Sequence, residues 1–241
     1  MKKLALILLA VALIFTLASC SKSSSSAAPS TSASAAAAPA AESSSTTPST
    51  GTVDSEYDPN KTVDFTQQTS EENRVVTIGT IDKSLYKQPV FVTSFGQSTD
   101  AAMLDTVMKR IGVDYVYNAT ATADTIKGYK TIIIAVGAST KGLGAAGISE
   151  ADETARAKAI MEYINTNDVE VICCHIGGSA RRGTLSDLYS DMVMEKASLI
   201  VLKEDANFDY KFTKYAEEHN KPISLIYATK DALTVFTEIF Q

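Results

Sequence analysis

The segment at residues 175–183 combines residue types that suit the recognition of an anion. It reads His-Ile-Gly-Gly-Ser-Ala-Arg-Arg-Gly and follows an apolar run. Gly177 and Gly178 allow a sharp turn and a close approach of the backbone to a ligand. Arg181 and Arg182 then present two planar guanidinium groups, which bind carboxylate and phosphate groups through paired hydrogen bonds. We expect this segment to form part of a binding site.

Two other segments carry hydroxyl, amide and cationic groups directly after apolar runs. Residues 94–100 read Ser-Phe-Gly-Gln-Ser-Thr-Asp, and residues 137–147 read Gly-Ala-Ser-Thr-Lys-Gly-Leu-Gly-Ala-Ala-Gly. Because ligands of α/β sheets bind at the carboxyl ends of parallel strands, the three segments would form the walls of one crevice. Residues 203–205, which read Lys-Glu-Asp after a later apolar run, would form a fourth loop at the same edge. The candidate ligand-binding residues are Ser94, Gln97, Ser98, Ser139, Lys141, His175, Gly177, Gly178, Ser179, Arg181 and Arg182.

A packing role is the alternative to ligand binding for these segments. Glycine-rich loops after strands often serve only to let neighbouring elements approach closely. A guanidinium group can likewise hold a loop in place by pairing with a carboxylate of the same domain. Asp187 and Asp205 are suitable partners, and we expect at least one of the two arginines to pair with one of them.

Nucleotide-binding motifs fail at identifiable positions. Residues 142–147 match the pattern G-x-G-x-x-G, but five residues separate them from the predicted strand before them. In addition, no acidic residue ends a following strand about twenty residues further on, as a dinucleotide site requires. Leu143 stands where a P-loop requires lysine. No cofactor is therefore expected.

A catalytic interpretation of the segment 175–183 uses Ser179 as a nucleophile. Residues 177–181 approach the pattern G-x-S-x-G, although Arg181 occupies its last position. His175 would act as the base and Asp187 as the acid of a serine-type hydrolase or transferase. A single histidine at the end of a strand is more often structural, so the sequence favours binding over catalysis.

The metal-ligating residue types are too few and too poorly spaced for a metal site. The chain contains only two histidines and neither a CxxC nor an HExxH pattern. Cys173 and Cys174 lie within an apolar run, where cysteines usually pack as small apolar residues. We expect no metal and no disulfide between these two neighbours, whose bridge would strain the peptide between them.

The elements that position these loops alternate along the chain between apolar runs and amphipathic stretches. Helices are expected to begin at Ser98, Ser149 and Thr184, each of which can cap a helix. The pattern predicts an α/β fold: a single flavodoxin-like or Rossmann-like doubly wound domain, whose mainly parallel sheet of five or six strands has helices on both faces. The predicted strands cover residues 89–93, 113–118, 131–136, 169–174, 199–202 and 222–227, and residues 74–87 could add an edge strand.

The first twenty residues have the organisation of a bacterial lipoprotein signal. Lys2 and Lys3 precede an apolar stretch at residues 4–17, which is shorter than the roughly 20 residues of a membrane span. Cys20 follows Leu-Ala-Ser and is the expected lipidation site. We therefore expect a signal peptide at residues 1–19 and an extracytoplasmic protein held at the bacterial membrane by lipidated Cys20.

A tether and one folded domain are predicted to follow. Residues 21–50 are almost entirely Ser, Ala, Thr and Pro, and such a composition cannot bury enough apolar surface to fold. We place the lipidated cysteine and the tether at residues 20–73 and the α/β domain at residues 74–241. The formal net charge of −6 excludes nucleic acid as a favoured partner, because the phosphate backbone attracts basic proteins.

Three loop motifs carry a resemblance to a known family. They are Thr-Ser-Phe-Gly-Gln-Ser-Thr-Asp-Ala at residues 93–101, Gly-Leu-Gly-Ala-Ala-Gly at residues 142–147, and the segment 175–183. In these motifs the chain resembles, over residues 88–241, a family of secreted bacterial proteins described only as a domain of unknown function. The resemblance implies that the three loops are a shared feature of the family, and it implies no activity, substrate or catalytic residue.

The leading functional hypothesis is a lipid-anchored binding module for a small polar or anionic molecule. A membrane transporter subunit is a conceivable partner, although the usual solute-binding protein has two α/β lobes and this chain has room for one. The alternatives are a protein-interaction domain without a small ligand and the serine-type hydrolase or transferase described above.

Overall fold

Seven strands form one sheet in residues 66–241, the part of the chain that the computed structural model describes. The strands are β1 (Val75–Ile78), β2 (Val90–Phe95), β3 (Tyr115–Tyr117), β4 (Thr131–Val136), β5 (Glu170–His175), β6 (Ala197–Lys203) and β7 (Ile223–Ile226). Their order across the sheet is β1-β7-β6-β5-β4-β2-β3. Every neighbouring pair is parallel except β1 and β7. The predicted α/β class and mainly parallel sheet are confirmed.

The strand count was one too low in the sequence-based prediction. The six predicted strands are present, and β1 adds a seventh by pairing antiparallel with β7. β1 is short, half of it is exposed, and Gly79 follows it, so its apolar pattern is weak. The six parallel strands lie in the order β3-β2-β4-β5-β6-β7, which is the flavodoxin-like order with one further strand.

The parallel strands other than the edge strand β3 are largely buried on both faces, because helices cover both sides of the sheet. All residues of β2 and β4 are buried, which explains their continuous apolar runs. The helices are α1 (Asp100–Ile111), α2 (Thr140–Ala146), α3 (Glu150–Thr166), α4 (Thr184–Met194), α5 (Lys211–Glu218) and α6 (Ala232–Phe240). The core on one face contains side chains of α3, α4 and α5, and the core on the other contains those of α1 and α6.

The predicted helix starts can be compared with those in the structure. One of the three predicted capping residues is correct, and the other two are displaced by one residue from the position that precedes the helix. Ser149 caps α3 by accepting a hydrogen bond from the Asp152 N–H. Helix α1 begins one residue after the expected cap, with Thr99 preceding it, and α4 already includes Thr184. The capping role predicted for Thr184 is therefore wrong, because Gly183 occupies the position before the helix.

Part of the segment 137–147 was expected to be a loop and is the short helix α2. Ser139 caps it by accepting a hydrogen bond from the Gly142 N–H. Two glycines within the helix lower its intrinsic propensity, which is why the sequence pattern concealed it. Packing of α2 against the loop after β2 compensates for this low propensity.

Residues 66–73, here called the strap, are hydrogen-bonded to the domain. The carboxylate of Glu204, which is 1% exposed, accepts hydrogen bonds from the Gln68 N–H at 2.6 Å and the Thr69 N–H at 2.7 Å. The Thr69 hydroxyl donates a third hydrogen bond to the same carboxylate. The signal peptide, Cys20 and the tether up to residue 65 lie outside the described residues. Within residues 66–241, no helix is both long and apolar enough to cross a bilayer.

Candidate functional site

The three loops singled out from the sequence lie at one edge of the sheet. They follow β2, β4 and β5, which are parallel neighbours. The first two loops are joined directly: Gln97 forms an isolated β-bridge with Ala138, and the Ser139 N–H donates to the Gly96 carbonyl at 2.8 Å. This part of the crevice is therefore filled by protein.

Gln97 serves a structural network on the side of the sheet covered by α3. Its amide donates to the carboxylate of Glu153, which is fully buried, and to the Ala119 carbonyl at 2.9 Å. Arg156 pairs with the same carboxylate and also donates to the Ser94 and Ala121 carbonyls. The backbone of Gln97 is left-handed, with φ of 56°. These contacts hold an unfavourable conformation and leave little for a ligand.

Arg182 is fully engaged within the protein. Its five N–H donors all have acceptors, namely the carboxylates of Asp187 and Asp209 and the carbonyl of Ala206. Its side chain is 1% exposed and lies over the ring of Phe208. The expectation that one arginine pairs with Asp187 holds for this residue, whose guanidinium has no donor left for a ligand.

His175 lies among the side chains that α5 packs against the sheet, with Arg182 nearby. It is fully buried and forms an edge-to-face contact with Phe212 at 5.4 Å between ring centroids. Neither ring nitrogen has a hydrogen-bond partner in the described part of the chain. Burial, reinforced by the positive charge of Arg182, lowers the pKa of His175 to about 4. The ring is therefore neutral at physiological pH.

The serine-type catalytic arrangement is not assembled in residues 66–241. Ser179 is exposed, and its N–H donates to the Asp205 carboxylate at 3.3 Å. No hydrogen bond joins Ser179, His175 and Asp187 in this region, because Asp187 binds Arg182 and the His175 ring packs on Phe212. Cys173 and Cys174 are buried, and burial raises the pKa of both thiols.

The two glycines after β5 pass between two pairs of charged side chains. A Cβ atom on Gly177 would lie 2.4 Å from Cγ of Arg181 and 2.6 Å from Oδ2 of Asp100. A Cβ atom on Gly178, whose φ is 75°, would lie 2.5 Å from Asp205 and 2.6 Å from Nζ of Lys203. Close approach of these charged groups therefore requires glycine at both positions.

We call this group the double-glycine site. It comprises Asp100, Gly177, Gly178, Arg181, Lys203 and Asp205. Lys203 and Asp205 form an ion pair with each other. Arg181 is partly exposed, and its guanidinium has no hydrogen-bond or ion-pair partner among residues 66–241.

Asp100 is the least satisfied member of the double-glycine site. It is the first residue of α1 and is 4% exposed, and its Oδ2 has no hydrogen-bond partner within the described chain. Burial raises its pKa, while the Ser98 hydroxyl, the Arg181 charge and the backbone N–H of Gly177 act in the opposite direction. Ser94 Oγ, also buried and without a partner in this region, lies at the same end of the sheet face that α1 covers.

The remaining predicted residues lie at the margin of this group. Ser98 accepts a hydrogen bond from the Asp100 N–H, and Ser139 caps α2. Lys141 is exposed on α2. A pocket of about 230 Å³ separates residues 138–140 from the start of α4, but Glu150 and the saturated Arg182 line it. Among residues 66–241, no group of His, Cys, Asp and Glu side chains is arranged to hold a metal ion.

One family model matches the chain over residues 87–240, and its description is "Domain of unknown function (DUF6305)". The chain belongs to this family. The matched residues cover the six parallel strands and all three loops, and exclude the strap and β1. No curated protein and no solved structure matches the chain. The predicted membership of an uncharacterised family is thus confirmed, and the DUF6305 description carries no activity.

The sequence-based selection missed three side chains of the double-glycine site. Asp100 ends the segment 94–100 and begins α1, while Lys203 is the last residue of β6 and Asp205 lies two residues further on. Their location at or near the end of a strand, or at the start of a helix, was the signal in the sequence that could have identified them. What the sequence could not show is that these side chains surround Gly177 and Gly178, because their meeting depends on the strand order.

Proposed function

We propose that this DUF6305 domain binds a small polar molecule at the double-glycine site. The observation that carries the proposal is the Asp100 carboxyl, which is almost completely buried beside Arg181 yet has an oxygen without a partner in the described chain. Leaving a buried carboxyl oxygen unpaired costs free energy, so such a group in a native protein calls for an explanation, and a bound ligand is the one we propose for Asp100.

The position of this group within the fold supports the proposal. In open α/β sheets, ligands bind beyond the carboxyl ends of the strands, near the point where the strand order reverses. Here that point lies between β2 and β4. Asp100 follows β2 and lies against the loops after β4 and β5, since its Oδ2 is close to both Gly137 and Gly177.

The proposal includes an extracytoplasmic location at the bacterial membrane, with Cys20 as the lipidated residue. It rests on the charged, apolar and small residues that precede Cys20. A ligand-binding domain on a long tether would suit delivery to a membrane transporter. The wild-type protein should incorporate a radiolabelled fatty acid, and Cys20→Ser should not; equal labelling of the two proteins would contradict lipidation at Cys20.

Binding is favoured over the two alternatives by specific observations. A hydrolase based on Ser179 would need a base in contact with the hydroxyl, and His175 is instead packed against Phe212. A domain that only binds proteins has no need for an unpartnered carboxyl beneath its surface. Exposed large apolar side chains are scattered over the described surface at Ile78, Leu85, Met103, Val116 and Leu188, which lie on different elements.

A thermal-shift screen of the full-length protein tests the proposal. The panel contains carboxylates, inorganic phosphate, simple amines and the twenty standard amino acids. A ligand present at one hundred times its Kd adds about 2.7 kcal/mol of stability, which corresponds to a rise in Tm of roughly 5–10 °C. We expect at least one panel member to produce such a rise. If no member does so, the proposed function is wrong.

A further inference from the structure

We propose that the ligand of the double-glycine site is a small zwitterion, with the α-amino acids as its chemical class. The inference rests on the proposed function and assigns its two ends: the carboxylate of the ligand pairs with Arg181, and its ammonium group pairs with Asp100. The argument uses the charge inventory of the site and the spacing of the two side chains.

The anion-binding end is Arg181, one of the two arginines in the segment 175–183. Arg182 has used all five of its N–H donors inside the protein. Arg181, in contrast, is partly exposed and forms no side-chain hydrogen bond and no close ion pair among residues 66–241, although the Asp100 carboxyl is near enough to feel its charge. A planar guanidinium binds a carboxylate through two parallel hydrogen bonds.

The cation-binding end is Asp100. Its carboxyl is 4% exposed, and the Oδ2 atom has no donor within the described residues. A buried carboxylate oxygen without a hydrogen-bond donor is costly, and a ligand ammonium supplies donors together with a positive charge. Burial raises the pKa of this group, and an ammonium placed against it would oppose that shift.

The other charged groups of the site leave this pattern unchanged. Lys203 and Asp205 are paired with each other, so they contribute one charge of each sign. The site therefore presents one carboxyl and one guanidinium that form no close ion pair with each other or with any other residue of the described chain. A simple anion would pair with Arg181 but would be repelled by the Asp100 carboxylate. A simple amine would pair with Asp100 but would be repelled by the Arg181 guanidinium. A molecule with both charges satisfies both groups.

The spacing limits the size of the ligand. Asp100 Oδ2 and Arg181 Cγ lie within 2.6 Å of the same point, the position of a Cβ atom on Gly177. The Asp100 carboxyl and the base of the Arg181 side chain thus border a single residue, and the guanidinium begins two bonds beyond that Cγ atom. A small ligand with its opposite charges close together can therefore reach both groups. An α-amino acid, whose ammonium and carboxylate are attached to one carbon, has this arrangement.

The test compares amino acids with their hydroxy-acid analogues on the full-length protein by isothermal titration calorimetry. The hydroxy acid retains the carboxylate and the side chain and replaces only the ammonium group. We expect any amino acid that binds to exceed its hydroxy acid in affinity by at least about tenfold, since a hydrogen bond to a charged group is worth that much. Asp100→Asn should reduce amino-acid affinity by at least about tenfold, and Asp114→Asn, an exposed control, should not.

The outcomes separate this inference from the proposed function. If carboxylates or phosphate bind as well as amino acids, or if Asp100→Asn leaves amino-acid affinity unchanged, the inference is overturned while the binding function stands. If no panel member binds, both fail. The comparison of wild-type ligand affinities does not depend on the folding of any variant, and circular dichroism checks that Asp100→Asn is folded.

Discussion

Arg181 and Arg182 are adjacent, chemically identical and used in different ways. Arg182 is buried between Asp187 and Asp209 and lies on an aromatic ring, whereas Arg181 is directed along Gly177 and is partly exposed. Both were candidate ligand-binding residues on sequence grounds. From the sequence, each arginine could bind an external anion or a carboxylate of the same domain. Only the positions of Asp187 and Asp209 in the structure show that Arg182 does the second.

Removing the Arg182 guanidinium should destabilise the domain far more than removing that of Arg181. The substitution Arg182→Met retains much of the side-chain volume but leaves two carboxylates without their main partner, which costs about 3–5 kcal/mol. Arg181→Met breaks no hydrogen bond shown by the described residues and should change the free energy of unfolding by less than about 1 kcal/mol. Urea denaturation of both variants measures the difference. Equal destabilisation would contradict the roles assigned here.

His175 illustrates a residue type that suggests chemistry and serves packing. The sequence places it at the end of an apolar run, next to the glycines. In the structure its ring is enclosed by the core that includes Phe212, with the guanidinium of Arg182 nearby. The alternation of side chains along β5 places it on the face covered by α5, and the double-glycine site begins two residues later.

The stability of the protein should fall between pH 7 and pH 5 because of His175. Its pKa is about 4 in the folded protein, against 6.5 for the free side chain, so the unfolded chain binds the proton first as the pH falls. Stability is therefore complete above the unfolded pKa and is lost as the pH falls towards the folded one, by roughly 3 kcal/mol in total. Denaturation at several pH values measures the slope.

The variant His175→Leu should flatten this dependence between pH 7 and pH 5. The matched control is His219→Gln, which alters the other histidine of the chain at an exposed position after α5. The control should keep the wild-type slope. A slope that is unchanged in His175→Leu would show that other groups cause the loss of stability.

At the scale of elements, helix α2 shows how tertiary packing overrides local preference. Its sequence, with two glycines in seven residues, was expected to be a loop. The helix forms because the loop after β2 lies directly against Gly142. A Cβ atom on Gly142 would lie 1.8 Å from the Gln97 carbonyl oxygen, whereas one on Gly144 would meet nothing within 4 Å. The same residue type is required at one position and incidental at the other.

Alanine substitutions at these two glycines should have opposite effects. Gly142→Ala forces the Gln97 backbone to move and should lower the free energy of unfolding by about 1–3 kcal/mol or more. Gly144→Ala improves helix propensity in open space and should raise it by about 0.5–1 kcal/mol. Both values come from chemical denaturation. A gain in stability from Gly142→Ala would mean that α2 does not pack as described.

The sequence predicted the secondary-structure elements better than the tertiary contacts between them. Continuous apolar runs revealed the parallel strands other than β3, because burial on both faces leaves no polar alternation. The edge strand β1, the helix α2 and the starts of α1 and α4 were less clear, since weak propensity or a neighbouring residue decides them. The network of Gln97, Glu153 and Arg156 joins segments far apart in sequence, and no local pattern predicts it.

At the scale of the whole molecule, the strap extends the folded unit beyond the matched family domain. The family match begins at residue 87, yet residues 66–73 and β1 contact the last third of the chain. Glu204 is the anchor of this contact, and it lies between Lys203 and Asp205 of the double-glycine site. The strap therefore joins the predicted tether to the edge of the sheet where we place the ligand.

Deletion of residues 66–73 from the full chain should destabilise the domain. The buried Glu204 carboxylate would lose all three of its described hydrogen-bond donors, at a cost of about 3 kcal/mol. The same deletion in a Glu204→Leu background should cost less, because no carboxylate is left unpaired. Chemical denaturation of the four proteins gives the coupling energy. A deletion cost that is identical in both backgrounds would show that the strap acts through other contacts.

The central claim is that the double-glycine site binds a small polar ligand, and a calorimetric titration with the best compound of the thermal-shift screen tests it most directly. Wild type and Arg110→Gln, an exposed control at the far end of α1, should bind with equal affinity. Arg181→Gln should bind at least about tenfold more weakly, because it loses a charge-assisted pair of hydrogen bonds. Equal affinity of all three proteins would contradict the claim, since the ligand would then bind elsewhere.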